Sequence, residues 1–198
     1  MARQLIAAAA AILMLSSPAT AHKVIEPGLN DKIVKGAFSA NPSTRWNRLQ
    51  QKDGEFQEVW TIDGDKLNRV VFYGGVPVGQ PLVKERDHKN DPLPRVADNM
   101  LLPDIPTLLE RTYRTKYGVR IMTVGKQEPA SLSGKPAIAF DYTFIEPEYE
   151  VETKGEAVAV IDRGRLYIAA FEAPAVHYFD RDVQKFRDLV KTMQLSER

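Results

Sequence analysis

The chain has no cysteine among its 198 residues. Disulfide bonds, thiolate metal sites and thiol catalysis are therefore excluded from it, and an ordinary apolar core must stabilise the fold. An excess of one charge is also lacking, since 27 basic and 26 acidic side chains leave a formal net charge of +1. This balance provides no general electrostatic attraction to nucleic acid or to anionic lipid. We therefore expect no nucleic-acid partner.

The motifs of several large enzyme classes are absent as well. The chain contains no G-x-S-x-G nucleophile elbow, no H-E-x-x-H zinc motif, no G-x-x-x-x-G-K-[ST] phosphate loop and no G-x-G-x-x-G dinucleotide motif. We expect no cofactor. These absences favour a non-catalytic protein over an enzyme.

The longest apolar run lies at the N-terminus, and no later run is long enough to cross a membrane. Arg3 precedes an apolar run from Leu5 to Leu15, and the triplet Ala19-Thr20-Ala21 follows it. A positive start, an apolar stretch and a small-x-small triplet are the parts of a secretory signal peptide, and this run is too short to span a bilayer. We predict cleavage after Ala21, no membrane insertion afterwards, and a periplasmic or secreted location. His22 would then be the N-terminus, where its imidazole and the α-amino group could bind copper or simply remain free.

The remainder, residues 22–198, is predicted to form a single α+β domain. Alternating apolar residues and turn signals predict a series of strands. They are Lys32–Ala40, Trp46–Gln50, Gln57–Ile62, Leu67–Tyr73, Val119–Glu128, Ala137–Ile145, Val151–Ile161 and Leu166–Glu172. Short turns between successive strands favour antiparallel pairing.

Two amphipathic helices are predicted from apolar residues at helical spacing. The first, Ile105–Tyr117, has Asp104 as a candidate N-cap and Gly118 as a candidate C-cap. The second, Arg181–Gln194, has Asp180 as its candidate N-cap. The order of elements predicts an antiparallel sheet with helices packed on its faces.

A long irregular segment, Val76–Pro103, interrupts this pattern. It is rich in proline and charge and has no sustained period. Loops of this length are uncommon in compact domains unless they bind something or are disordered. We interpret it as an excursion from the domain and a candidate binding surface.

The C-terminal half resembles the PsbP-like α/β/α sandwich, a fold shared by extrinsic photosystem II subunits and a Ran-binding nuclear import factor. The similar features are the Gly134 turn, the strand meander through Gly155 and Gly164, Tyr167 in the last strand, and a closing helix. That helix carries Phe186, Leu189 and Met193. The segments Trp60–Gly64 and Arg165–Ile168 also resemble uncharacterised exported bacterial proteins. The resemblance implies the sandwich fold and a binding or assembly role, and it transfers no partner-binding residue.

Glu172, His177 and Asp180 form the first candidate site, because they fall between the last strand and the last helix. A carboxylate beside an imidazole can hold a ligand or polarise a water molecule, as in a hydrolase or a metal-dependent enzyme. The alternative is structural, since Asp180 can cap the helix and His177 can pack at the junction. No partner nucleophile is evident in the sequence.

Glu146, Glu148, Glu150 and Glu152 form the second candidate site. If the segment is extended, all four carboxylates lie on one face, where clustered oxygens could bind a hard cation such as calcium. The alternative is that the charges protect a hairpin tip and a sheet edge from association.

The sequence therefore favours one function over the others. We predict a non-catalytic periplasmic binding or accessory protein, with an unknown protein or small molecule bound by the Val76–Pro103 excursion and one sheet face. The competing hypothesis is the enzyme that would use Glu172, His177 and Asp180.

Overall fold

The computed structural model describes residues 23–196. The predicted signal peptide and His22 lie outside the described residues. Along the chain the strands are β1 (Lys23–Ile25), β2 (Asn30–Ile33), β3 (Phe38–Ala40), β4 (Trp46–Arg48), β5 (Gln57–Thr61), β6 (Arg69–Pro77), β7 (Met122–Leu132), β8 (Lys135–Glu146), β9 (Val151–Asp162), β10 (Arg165–Pro174) and β11 (Gln194–Leu195). The helices are α1 (Ile105–Tyr117) and α2 (Tyr178–Thr192), and a short 3-10 turn (Leu102–Asp104) precedes α1.

Eight strands form one antiparallel sheet in the order β1-β4-β5-β6-β10-β9-β8-β7. A small sheet of β11, β3 and β2 lies apart from it. One face of the large sheet packs against α1, and the other packs against α2 and the small sheet. The predicted α+β sandwich is confirmed.

Strand β8 shows how alternation produces the two layers. Its large apolar side chains pack with α1 on one face: Ile138, Phe140, Tyr142 and Phe144. Ala137 of the same strand belongs to the opposite core, beneath α2. Successive side chains of a strand point to opposite faces, so one strand supplies both layers.

Helix α1 has the predicted bounds, and Gly118 ends it in the left-handed conformation with φ 69°. One detail of the prediction was wrong. The Asp104 side chain makes no capping bond to α1, because its Oδ2 accepts a hydrogen bond from the Leu101 N–H at 2.9 Å. The carboxylate stabilises the preceding 3-10 turn instead.

Helix α2 begins three residues earlier than predicted, and its N-cap is His177 rather than Asp180. The backbone turns sharply before the helix, since His177 has a φ of 70°. Asp180 consequently lies inside the first turn, where its charge suits the helix dipole. The predicted apolar stripe is confirmed, with Val183, Phe186 and Leu189 buried in the core.

The predicted first strand, Lys32–Ala40, was wrong as a single element. The structure has two short strands there, β2 and β3, which pair with each other. Val34 and Lys35 have positive φ and reverse the chain between them. An apolar period of two does not reveal this reversal, because Ile33, Val34 and Phe38 are all buried.

Val76 and Pro77, the first two residues of the predicted excursion, belong to β6, and the rest of the excursion packs against the molecule. Four of its apolar side chains are buried in the core beside α1: Leu82, Val83, Leu93 and Val96. Glu85 stabilises the fold of the segment, because its carboxylate accepts hydrogen bonds from the Leu93 N–H at 2.8 Å and from Arg95 at 2.5 Å. His88 is exposed and lies 3.2 Å from Glu85.

No helix among residues 23–196 is long and apolar enough to cross a membrane.

A buried carboxylate attaches α2 to the turn before β6. Asp182 has no exposed surface. It accepts hydrogen bonds from Asn68 at 2.8 Å, Lys185 at 2.7 Å and Arg181 at 2.5 Å. Burial alone would raise the pKa of Asp182, but these donors outweigh it and lower the pKa. The charged form of this side chain therefore stabilises the fold.

Asp182→Asn is expected to lower the free energy of unfolding near pH 7 by about 1–2 kcal/mol, because it removes charge-assisted hydrogen bonds. A lowered pKa in the folded state contributes stability above the unfolded value of about 3.9 and loses it as the pH falls further. Urea unfolding from about pH 6 to about pH 3 should therefore show the gap between wild type and variant closing below about pH 4. Asp188→Asn, which removes a half-exposed carboxylate paired with Lys191 on the same helix, serves as the control and should show a much smaller gap. A gap independent of pH would contradict the role of the charge.

Candidate ligand-binding cleft

Four residues form a row across the large sheet. The register pairs Arg69 of β6 with Glu172 of β10, Glu172 with Gly155 of β9, and Gly155 with Tyr142 of β8. Residues directly opposite each other in adjacent strands point to the same face of a sheet. The row therefore lies on the face covered by α1.

Gly155 allows Tyr142, at the far end of the row, to meet the carboxylate of Glu172. A Cβ at this position would lie under 3.0 Å from the Tyr142 ring, which occupies the space above the glycine. Because β9 has no side chain here, the ring crosses the strand and its hydroxyl reaches Glu172. A glycine inside a strand often marks such a close approach.

Glu172 is the centre of the network. Its side chain is 1% exposed. Oε1 accepts hydrogen bonds from the hydroxyls of Tyr113 at 2.5 Å and Tyr142 at 2.6 Å, and Oε2 accepts one from Arg69 Nε at 2.7 Å. Both oxygens are thus occupied. A buried carboxylate requires such partners to remain charged.

The partners keep their protons. Burial, and then the charge of Glu172, raises the pKa of Tyr113 and of Tyr142 well above the usual value. Burial opposes the charge on Arg69, but Glu172 outweighs it and raises the pKa of Arg69. Both tyrosines therefore donate to Glu172 at neutral pH, and Arg69 stays cationic.

A second group of polar side chains extends from this centre towards solvent. Gln57 is buried, and its amide nitrogen lies 3.5 Å from the hydroxyls of Tyr73 and Tyr117. The Gln57 carbonyl oxygen accepts the Asp53 N–H at 2.7 Å. Lys116 lies 3.9 Å from the Asp53 carboxylate. These contacts connect the C-terminal half of α1 to the loop before β5.

A cleft of about 520 Å³ opens above this network, beside α1 and over β4, β5 and β6. We call it the tyrosine cleft. Its apolar and aromatic lining consists of Leu49, Val59, Ile62, Val71, Val119, Phe144, Tyr73, Tyr113 and Tyr117. Its polar lining includes Asn47, Gln50, Gln51, Lys52, Asp53, Gln57, Thr61, Asp63, Asp65, Arg69 and Glu146. An apolar wall with a few convergent polar groups is typical of small-molecule sites.

The first predicted site is not assembled as a cluster. The described contacts of Glu172 are with Arg69, Tyr113 and Tyr142, on the α1 face. His177 and Asp180 are exposed at the start of α2, which packs on the opposite face. The His177 ring contacts the Tyr178 ring, with 5.2 Å between their centroids. Glu172 is thus a central residue, with partners other than those expected.

The second predicted site is not a row of carboxylates. Residues 147–150 form a turn between β8 and β9, and Glu150 has a φ of 52°. The extended conformation on which the shared face depended was therefore wrong. Glu146 lines the tyrosine cleft, whereas Glu148, Glu150 and Glu152 are exposed. Within residues 23–196 no three His, Asp or Glu side chains are grouped to hold a metal ion.

The Val76–Pro103 excursion borders a different pocket. This pocket, of about 480 Å³, lies between residues 54–56 and 80–85, with Arg95 at its edge. None of the residues lining the tyrosine cleft comes from the excursion. The loop of residues 50–53 and the turn of residues 61–65 form the rim of the cleft instead.

No protein-family model matches the chain, and no curated protein matches it in sequence. Several solved structures are similar to it. They include the protein of unknown function PA94 from Pseudomonas aeruginosa, with 9% identity, a TM-score of 0.46, and coverage of 82% of this chain and 99% of that one. Cyanobacterial PsbP from Synechocystis sp. PCC 6803 has 11% identity, a TM-score of 0.44, and coverage of 91% and 96%. The Ran-binding protein Mog1p from Saccharomyces cerevisiae has 8% identity, a TM-score of 0.43, and coverage of 89% and 96%.

PsbP and a Ran-binding protein are thus among the similar structures, as the resemblance in the sequence implied. These likenesses concern the fold alone, and the function is argued from the cleft.

Proposed function

We propose that this chain is a non-catalytic binding protein, exported to the periplasm, that holds a small molecule in the tyrosine cleft. One observation carries the proposal. The cleft has a floor of tyrosine, glutamine and arginine side chains that are held in place by hydrogen bonds to one another and to the buried Glu172. A preorganised site loses little side-chain entropy when a ligand binds.

The same contacts argue against catalysis by Glu172. A general base needs a free oxygen within reach of the substrate, and both oxygens of Glu172 are engaged with Tyr113, Tyr142 and Arg69. Thr61 supplies the one aliphatic hydroxyl of the cleft lining, and it donates to the Asn68 carbonyl oxygen at 2.6 Å. It therefore has no base to activate it.

The proposed export supports a binding role, since the signal peptide predicted over residues 1–21 would deliver the domain to the periplasm. The charge balance, +1 over the whole chain, fits a ligand recognised by local contacts rather than by a general field.

Filling the cleft tests the proposal. Leu49 lines it and is partly buried, so Leu49→Trp should obstruct the space without touching the Glu172 network. Amide resonances of the wild type would be recorded by NMR against a set of neutral, anionic and cationic fragments. We expect at least one class to shift cleft resonances, and we expect the shifts to disappear in Leu49→Trp. Leu29→Trp, at a site 78% exposed, is the matched control.

Two results would overturn the binding proposal. One is that no fragment shifts resonances of the cleft, or that Leu49→Trp leaves the shifts unchanged. The other is a turnover by the purified protein that His177→Ala abolishes while the fold stays intact. The second result would establish the competing enzyme hypothesis.

A further inference from the structure

The charges that line the tyrosine cleft are unequal. Four carboxylates line it: Asp53, Asp63, Asp65 and Glu146. Two cationic side chains line it, those of Lys52 and Arg69. The buried Glu172 beneath the floor adds a further negative charge. The cleft therefore has an excess of negative charge although the whole chain is nearly neutral.

Much of this charge is compensated by neighbours. Asp63 forms an ion pair with Arg181 and accepts a hydrogen bond from Asn68 at 3.0 Å. Arg69 is neutralised by Glu172, to which its Nε donates at 2.7 Å. The positive charge of Arg69 is therefore largely cancelled by Glu172 and attracts an anionic ligand only weakly.

Glu146 is compensated only by a long contact. Its side chain is 29% exposed, and the terminal nitrogen of Arg69 lies 3.8 Å from it, beyond hydrogen-bond range. Burial raises the pKa of Glu146. Arg69 opposes this rise, while Glu172, Glu148 and Asp65 add to it. The positive charge near Glu146 is thus too small to offset the cost of burying its carboxylate in the charged form.

The aromatic wall beside Glu146 favours the same type of ligand. Tyr117 supplies a partly exposed ring, and aromatic rings attract cations through their negative faces, while Tyr73, Tyr113 and Phe144 line the cleft from buried positions. An anion would meet mostly carboxylates at this rim, whereas an ammonium group would meet hydrogen-bond acceptors.

We infer that the tyrosine cleft binds a small organic cation, with a protonated amine at Glu146 and an apolar body against the aromatic wall. This inference rests on the proposed binding function and specifies its ligand class. Asp65, on the same rim, adds a longer-range attraction. The ammonium ion gives Glu146 a closer partner than Arg69 at 3.8 Å, and the apolar body packs against Leu49 and Tyr117.

Three probes of one shape test the inference: 2-phenylethylamine, 2-phenylethanol and phenylacetate. NMR titration of the wild type should give the amine an affinity at least about tenfold higher than that of the alcohol, a difference one charge-assisted contact can supply. Glu146→Gln should reduce the affinity for the amine by about tenfold or more and leave that for the alcohol unchanged. Asp65→Asn should have a smaller effect. Glu150→Gln, in the turn that follows Glu146 but outside the cleft, should have none.

The possible results distinguish a failure of the inferred ligand class from a failure of the proposed binding function. If the cleft binds phenylacetate or 2-phenylethanol more tightly than the amine, the inference of a cationic ligand is wrong, but the binding function is not affected. The same conclusion follows if Glu146→Gln and the wild type bind the amine with equal affinity. If neither these probes nor the fragment set shifts any cleft resonance, the binding function fails and the inference fails with it.

Discussion

Glu172→Gln is expected to lower the free energy of unfolding by about 3–5 kcal/mol, since removing one member of a buried ion pair leaves the other charge without compensation. Arg69 would lose the carboxylate that now accepts its Nε at 2.7 Å, and an amide group would face it instead. The hydroxyls of Tyr113 and Tyr142 would also keep only a weaker, neutral acceptor. Glutamine has nearly the same shape as glutamate, so the loss of stability reflects the lost charge rather than a change in packing.

Urea unfolding at neutral pH measures this effect, with Glu128→Gln as the control. Glu128 is 52% exposed and pairs with Lys126 at the surface, so we expect no measurable change there. The double variant Arg69→Met with Glu172→Gln has no uncompensated cation. Its loss of unfolding free energy should therefore be smaller than the sum of the losses in the two single variants. Additive costs, or an unchanged stability of Glu172→Gln, would show that the pair does not stabilise the fold.

The parts of the fold that depend on local pattern were predictable. The bounds of α1 follow from its apolar stripe and from Gly118, which can adopt the positive φ that ends the helix. The two faces of β8 follow from alternation, since Phe140 and Tyr142 are buried on the α1 side. These features require only neighbours within a few residues.

The binding site depends on register, which the sequence does not display. Glu172 meets Arg69 and Tyr142 because β10 pairs with β6 and β9 pairs with β8 at particular offsets. These contacts span 103 and 30 residues. Two signals could have indicated them: a charge at Glu172, two residues after the buried Ala170 and therefore on a core-facing position, and the glycine at position 155 inside a strand.

Proximity in the sequence misled the first site prediction. His177 and Asp180 follow Glu172 by only a few residues, but the turn with His177 at φ 70° sends the chain to the opposite face. A strand followed by a helix changes layer in a sandwich. Side chains on either side of such a junction therefore need not share a site.

Gly155→Ala is the second large effect that we expect, with a loss of at least about 2 kcal/mol in the free energy of unfolding. Overpacking a core costs about 1–3 kcal/mol. The displaced Tyr142 ring would in addition lose its hydroxyl contact with Glu172, and hydrogen bonds to charged groups contribute about 1.5–3 kcal/mol. Urea unfolding of wild type and variant measures the sum. In most strands an alanine would stabilise relative to glycine, by about 0.5–1 kcal/mol.

The sign of this effect should depend on the ring at position 142. In a Tyr142→Phe background the ring remains, so Gly155→Ala should still destabilise by about 1–3 kcal/mol through overpacking alone. In a Tyr142→Val background the space above β9 is open, and the same alanine should become neutral or stabilising. If Gly155→Ala costs the same in all three backgrounds, the glycine is not what lets the ring reach Glu172, and the floor of the cleft is built in another way.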